Sequence, residues 1–245
     1  MKKLFLISFL LISLTIQGQN FQLHYDLGQG RKHVTSTFEM FKPDTWGDTF
    51  FFVDMEFNGD VPSANNINEK QPSLAYMEIA RCFKFWKAPI SIQLEYNGGL
   101  MLGKAANAFY NEGYFIQNAY LGGIDYAWHN PDFTKFLNLK ILFKSIQGKN
   151  PASFQLTGVW NLNYLRNKLT LSGFADFWRE DNLNFTDARG QVLAIPTQTR
   201  FVFLTEPQIW YNLNKNLSVG GEIEIGANFG TVDGLKVSPA FGAKW

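Results

Sequence analysis

Apolar and polar side chains alternate with a period of two along most of this chain, and that pattern limits the fold more than any other feature. Near the end, Leu235, Val237, Pro239, Phe241, Ala243 and Trp245 share one face of an extended segment, with Lys236, Ser238, Ala240, Gly242 and Lys244 on the other. Leu217, Val219, Gly221, Ile223, Ile225 and Ala227 alternate in the same way with Ser218, Gly220, Glu222, Glu224, Gly226 and Asn228. Upstream, Ile90, Ile92, Leu94 and Tyr96 oppose Ser91, Gln93, Glu95 and Asn97. Successive side chains of a strand point to opposite faces, so each segment has one apolar and one polar side. Helical periodicity is poor, and no apolar run after residue 20 is long enough for a spanning helix.

Several of these segments run 10 to 15 residues. Strands of soluble domains usually have about 5 to 6 residues, whereas a strand tilted across a bilayer needs about 9 to 11. The expected fold is therefore all-β: a transmembrane antiparallel β-barrel in one domain. Strands are expected at 21–28, 32–41, 49–57, 74–86, 90–99, 114–128, 135–147, 153–165, 168–179, 199–213, 217–229 and 235–245, which makes about twelve. The first two are the weakest, so ten strands with an N-terminal plug is the alternative. Short connectors at 42–48, 86–89, 129–134, 166–167 and 214–216 alternate with longer loops at 58–73, 100–113 and 181–198. Short turns on one side and long loops on the other are the outer-membrane arrangement, and an even strand number puts both termini in the periplasm. Trp86, Tyr126, Trp128, Tyr164, Tyr211 and Trp245 fall near strand ends, as an interfacial girdle would. This register predicts that Ile223→Lys impairs assembly and that Glu224→Lys does not.

The start reads Met1-Lys2-Lys3, an apolar run from Leu4 to Ile16, then Gln17-Gly18. That is the pattern of a secretory signal peptide, expected over 1–18, with the barrel domain over 19–245. Lys plus Arg is 22 and Asp plus Glu is 21, which gives no basic face for nucleic acid. A single cysteine, Cys82, excludes an internal disulfide framework and a cysteine cluster for zinc. His24, His33 and His129 are too few for a histidine-rich metal site, and none accompanies a nucleophile motif, so no enzyme and no cofactor are expected.

Three stretches carry a family resemblance. The first runs from Phe38 through Asp44-Thr45-Trp46-Gly47-Asp48 to an aromatic strand ending in Asp54. Pro72, Met77-Glu78-Ile79, Arg81 and Phe83 form the second, and Tyr120-Leu121-Gly122-Gly123-Ile124-Asp125 the third. Together they resemble the Tsx-like nucleoside-specific channel-forming proteins of the outer membrane, over roughly residues 32–165. The chain departs from that pattern in an Asp–Trp turn one residue longer and in Ala80, where a proline often precedes the arginine. The resemblance implies a monomeric channel for passive diffusion of small, nucleoside-like solutes. Its partners would be that solute, outer-membrane lipid and, during biogenesis, the barrel-assembly machinery.

A charge on the lipid face costs about 2 to 4 kcal/mol at midplane, so the polar faces must line the lumen. Phe50, Phe52, Asp54, Glu56, Glu78, Glu95, Asp125, Lys140, Trp178, Glu206 and Trp210 are the candidate solute-binding residues. Aromatic rings stack a flat base, while acids and amides bind sugar hydroxyls. The competing reading has the barrel filled by its own side chains, with acids and bases paired across it. A closed barrel acting as a structural or surface-recognition protein, without transport, is the alternative function, with a barrel enzyme as the lesser one. Arg81 is out of place, because alternation puts it on the lipid face with Met77, Ile79 and Phe83. A bulge, or snorkelling near the boundary, would accommodate it.

Overall fold

The computed structural model describes residues 18–29, 31–57, 59–60, 70–104, 111–149 and 152–245; the expected signal peptide lies almost wholly outside them. Twelve strands carry the chain: β1 Gln19–Asp26, β2 Val34–Asp44, β3 Gly47–Phe57, β4 Leu74–Phe83, β5 Ile90–Lys104 and β6 Asn111–His129. They continue as β7 Lys135–Ile146, β8 Ser153–Tyr164, β9 Leu169–Asp187, β10 in two pieces, Val192–Thr205 and Gln208–Asn212, β11 Ser218–Ala227 and β12 Leu235–Lys244. Each pairs antiparallel with its sequence neighbour. The first strand pairs with the last, from Gln22↔Lys244 to Asp26↔Ala240, and this seam closes the sheet into a barrel. β1 and β2 are full members of the ring, so the count is twelve and the ten-strand alternative with a plug is excluded. No helix among the described residues is long and apolar enough to cross a membrane.

Alternation sets which face looks out. Leu23, Tyr25, Ile92, Leu94, Ile141, Phe143, Val237 and Phe241 are exposed on the exterior, while Gln22, His24, Asp26, Gln93 and Ser238 are buried inside. An apolar surface this continuous is a lipid-facing belt, since soluble monomers rarely expose apolar patches above a few hundred Å². Trp86, Tyr126, Trp128, Tyr164, Tyr211 and Trp245 are all exposed, at or near the barrel end that carries the short turns.

Two expected loops are largely strand. Most of 181–198 forms a hairpin extension of β9 and β10, while 100–104 and 111–113 lengthen β5 and β6 and 105–110 lie outside the described residues. Register shifts between Arg179 and Asn182 and between Asn184 and Thr186 reset the phase of alternation, which hides the strand in the sequence. The hairpin turn is fixed by Asp187, whose Oδ1 accepts the backbone N–H groups of Arg189 at 2.9 Å and Gln191 at 2.8 Å. β10 is interrupted at Glu206-Pro207, because proline brings no N–H to the ladder. The register with β11 is the same on both sides of that break.

Candidate functional site: the lumen

The ladders place ten of the eleven candidate residues on the inner face; Glu206 lies in the break of β10, between inner-facing Leu204 and Gln208. Phe52 stands between Glu39 of β2 and Glu78 of β4, and Asp54 between Thr37 and Tyr76. Asp125 faces Ser91 and Lys140, and Trp178 faces Gln155 and Val202. Within this set the structure brings together Phe50, Phe52 and Glu78, with Tyr76 as a further ring. The Phe50 and Phe52 centroids are 6.1 Å apart and tilted by 52°, and Tyr76 continues the row 6.0 Å from Phe52. Tilted rings this close touch each other, so a flat solute would lie against the row and not between Phe50 and Phe52.

One wall is built around Arg31, on the β1–β2 loop. Its guanidinium forms an ion pair with Asp26 and donates to Glu56 at 3.1 Å and to Glu224 at 2.8 Å. His33 approaches Glu56 at 3.4 Å, and His24 approaches Glu222 at 3.4 Å. Gln208 donates to Glu222 at 2.9 Å, and Thr37 donates to Asp54 at 2.5 Å. The Glu224 contact argues against the expectation that Glu224→Lys leaves assembly unimpaired, because a lysine there would face Arg31.

The opposite wall carries Glu78, Glu95, Asp125, Asp176 and Glu180. Tyr76 donates to Glu78 at 2.7 Å and Gln93 to Glu95 at 2.6 Å. Asn138 donates to both oxygens of Asp125, at 2.8 and 3.1 Å. Lys149 pairs with Glu180 at 2.8 Å, while Lys144 donates to Gln155 at 2.7 Å. Among the described residues, the inner carboxylates outnumber the inner cations Arg31, Lys140, Lys144, Lys149, Lys236 and Lys244. Among the described residues no group of three His, Cys, Asp or Glu is arranged to hold a metal ion.

Two of the expected platforms are filled in. Trp210 is 0% exposed: Lys244 lies 4.6 Å over its ring, His24 meets it edge-on at 5.5 Å, and its Nε1–H donates to Gln208 at 2.9 Å. Room for these side chains comes from Gly220 and Gly242, the cross-strand neighbours of Trp210 and His24. Trp178, buried with Lys144 4.1 Å over its ring, donates to Glu180 at 2.8 Å. Ala119, Leu121 and Leu142 form a small apolar cluster on the inner face of β6 and β7. Part of the lumen is therefore packed with side chains, as a barrel of this size permits.

Arg81 is resolved by snorkelling and not by a bulge, since β4 keeps register with both neighbours. It reaches the short turn, donates to Asp44 at 2.6 and 2.9 Å and to Thr49 at 3.0 Å, and lies 5.3 Å from the Phe83 ring centroid. The hydrogen bonds from Arg81, with one from the backbone N–H of Trp46, lower the Asp44 carboxyl to about 2.

The sequence reading missed Arg31 as the centre of a charge network. It sits in a loop without periodicity, and only the alternation of His24 and Asp26 in β1 marks that region as lumenal.

Residues 18–245 match the model of a domain of unknown function, DUF5020, and the chain belongs to that family. No curated protein matches it. Among solved structures it is similar to the KdgM porin, at 11% identity and a TM-score of 0.46, covering 94% of this chain and 98% of that one. It is also similar to the NanC porin, at 7% identity and a TM-score of 0.53, covering 93% and 98%. The NanC likeness shows a shared fold. With its closed twelve-stranded ring and apolar belt, the chain is an outer-membrane barrel.

Proposed function

We propose that this DUF5020 protein is an outer-membrane channel through which small solutes diffuse passively. The observation that carries the reading is the charged, hydrogen-bonding inner face of a closed barrel whose exterior is apolar. Fixed charges and amides along a narrow lumen offer weak successive sites, which conduction needs for both entry and exit. We place the short turns and both termini in the periplasm, with the long β5–β6 and β9–β10 hairpins outside the cell. The barrel works as a monomer and reaches the membrane through the assembly machinery for such barrels.

For the solute we propose nucleosides or molecules of similar size and polarity. The support is the row of Phe50, Phe52 and Tyr76, with Glu78 hydrogen-bonded to Tyr76 at its end. Stacking on such rings is worth about 1 to 3 kcal/mol per base. Neither the family match nor the porin likenesses speak for a nucleoside, so this part stands on the aromatic row and the Tsx-like motifs alone. The second reading is a closed barrel without transport, favoured by the interior packing of Trp178, Trp210, Leu121 and Leu142. Liposome swelling with nucleosides and size-matched sugars separates the two. Swelling with either supports the channel, faster entry of nucleosides supports the solute, and no swelling supports the closed barrel.

A further inference from the structure

Rested on the channel reading above, the inner carboxylates carry a second consequence. Glu78 on β4, Glu95 on β5 and Asp176 on β9 lie within electrostatic reach of one another. Glu78 and Glu95 stand on neighbouring strands, and β9 is five steps from β4 in the ring of twelve, so Asp176 faces that pair across the lumen. Each is held by a neutral donor: Tyr76 to Glu78 at 2.7 Å, Gln93 to Glu95 at 2.6 Å and Thr157 to Asp176 at 2.5 Å. None has a Lys or Arg at ion-pair distance among the described residues. The cation that acts on all three, Lys144, is held by Gln155 at 2.7 Å and by the Trp178 ring.

A separate observation points the same way. Asn97 stands directly across the ladder from Glu78, is 5% exposed, and its Oδ1 has no hydrogen-bond partner. A buried acceptor without a donor is costly and unusual. On the same inner face the rings of Tyr76 and Phe52 lie 6.0 Å apart, and aromatic rings attract cations. This stretch of the inner face thus offers acceptors, negative charge and aromatic rings.

We propose that this belt is a cation-selecting constriction: the pore admits cations and amine-bearing solutes and turns away acidic ones. A fixed negative field in a narrow, low-dielectric passage concentrates counter-ions and repels co-ions, as carboxylate rings do in cation channels. Among the described residues the acids form no chelating cage, so a permeant cation passes without being trapped.

The test is the reversal potential of the purified protein in planar bilayers under a tenfold KCl gradient at pH 8. The wild type should favour potassium over chloride on the order of tenfold. Glu78→Gln, alone and with Glu95→Gln and Asp176→Asn, should bring the ratio toward unity while conductance persists. Asp132→Asn, in a short turn away from the belt, should leave the ratio unchanged. A conducting wild type without cation preference overturns the inference but leaves the channel reading intact, as does an equal shift from Asp132→Asn. A folded wild type that does not conduct overturns the channel reading and this inference with it. If the triple variant fails to assemble, the wild-type ratio and Glu78→Gln alone decide the outcome.

Discussion

Arg31 and Glu224 are joined by a 2.8 Å hydrogen bond across 193 residues of sequence. The same guanidinium holds Glu56 at 3.1 Å, so one loop residue ties β3 to β11 over the strands between them. Arg31→Ala would leave Asp26, Glu56 and Glu224 facing one another without a counter-charge. A hydrogen bond to a charged group contributes about 1.5 to 3 kcal/mol. Thermal unfolding of the barrel in detergent should therefore shift downward, and single-channel conductance should rise as the loop loses its anchor. Unchanged melting and conductance would mean that the network is ornamental.

Register can be tested at β11 and β12. Ile223 is 43% exposed on the exterior, and Ala240 is an inner residue directly opposite Glu222. Ile223→Lys should cost about 2 to 4 kcal/mol near the midplane. Ala240→Lys adds the same charge where a carboxylate receives it. Heat-modifiable migration on gels should be lost or weakened in the first variant and kept in the second. Equal behaviour of the two would refute the assignment of faces.

How legible this was depends on what each feature needs. Alternation needs only a regular ladder, so β7, β8, β11 and β12 could be read nearly to the residue. The β9–β10 hairpin could not, because bulges beside Asn182 and Thr186 break the phase without ending the strand. Membership of the lumen was legible for Glu78 or Asp125, since it follows from parity alone. Availability to a solute was not: Trp210 and Phe52 share a parity, yet Lys244 and His24 cover the first. Cover of that kind comes from strands brought together only by closure at the β1–β12 seam, which no local pattern encodes.

At the short-turn end, the Asp44–Arg81 pair predicts a definite pH dependence. The Asp44 carboxyl is lowered to about 2, from an ordinary value near 3.9. A lowered carboxyl stabilises the fold above its unfolded value, and that contribution disappears as pH falls through the folded one. The wild type should thus exceed Arg81→Leu by a constant margin from pH 8 to about 5, with the margin vanishing toward pH 2. Carboxyl NMR in micelles should place the Asp44 midpoint near 2 in the wild type and near 4 in Arg81→Leu. A midpoint near 4 in both would show that the pair does not hold in the membrane.

The aromatic row gives the prediction closest to function. Two residues along a strand are about 6.8 Å apart, a spacing that suggests rings flanking one thin base. The observed centroids, 6.1 Å apart and tilted by 52°, leave no such slot. A base would instead lie along the row, with Phe52 central because it contacts both Phe50 and Tyr76. Phe52→Ala should then remove most of any nucleoside preference by itself, and Phe50→Ala much less. A clamp would make the two substitutions equal. Loss of one ring at about 1 to 3 kcal/mol changes occupancy by roughly five- to 150-fold, enough to alter how flux saturates. Flux of a nucleoside and of a similar-sized sugar should converge in Phe52→Ala, with sugar flux unchanged or raised. If the wild type already passes both alike, the row plays no part in selection, and the solute is chosen by the charged belt around Glu78.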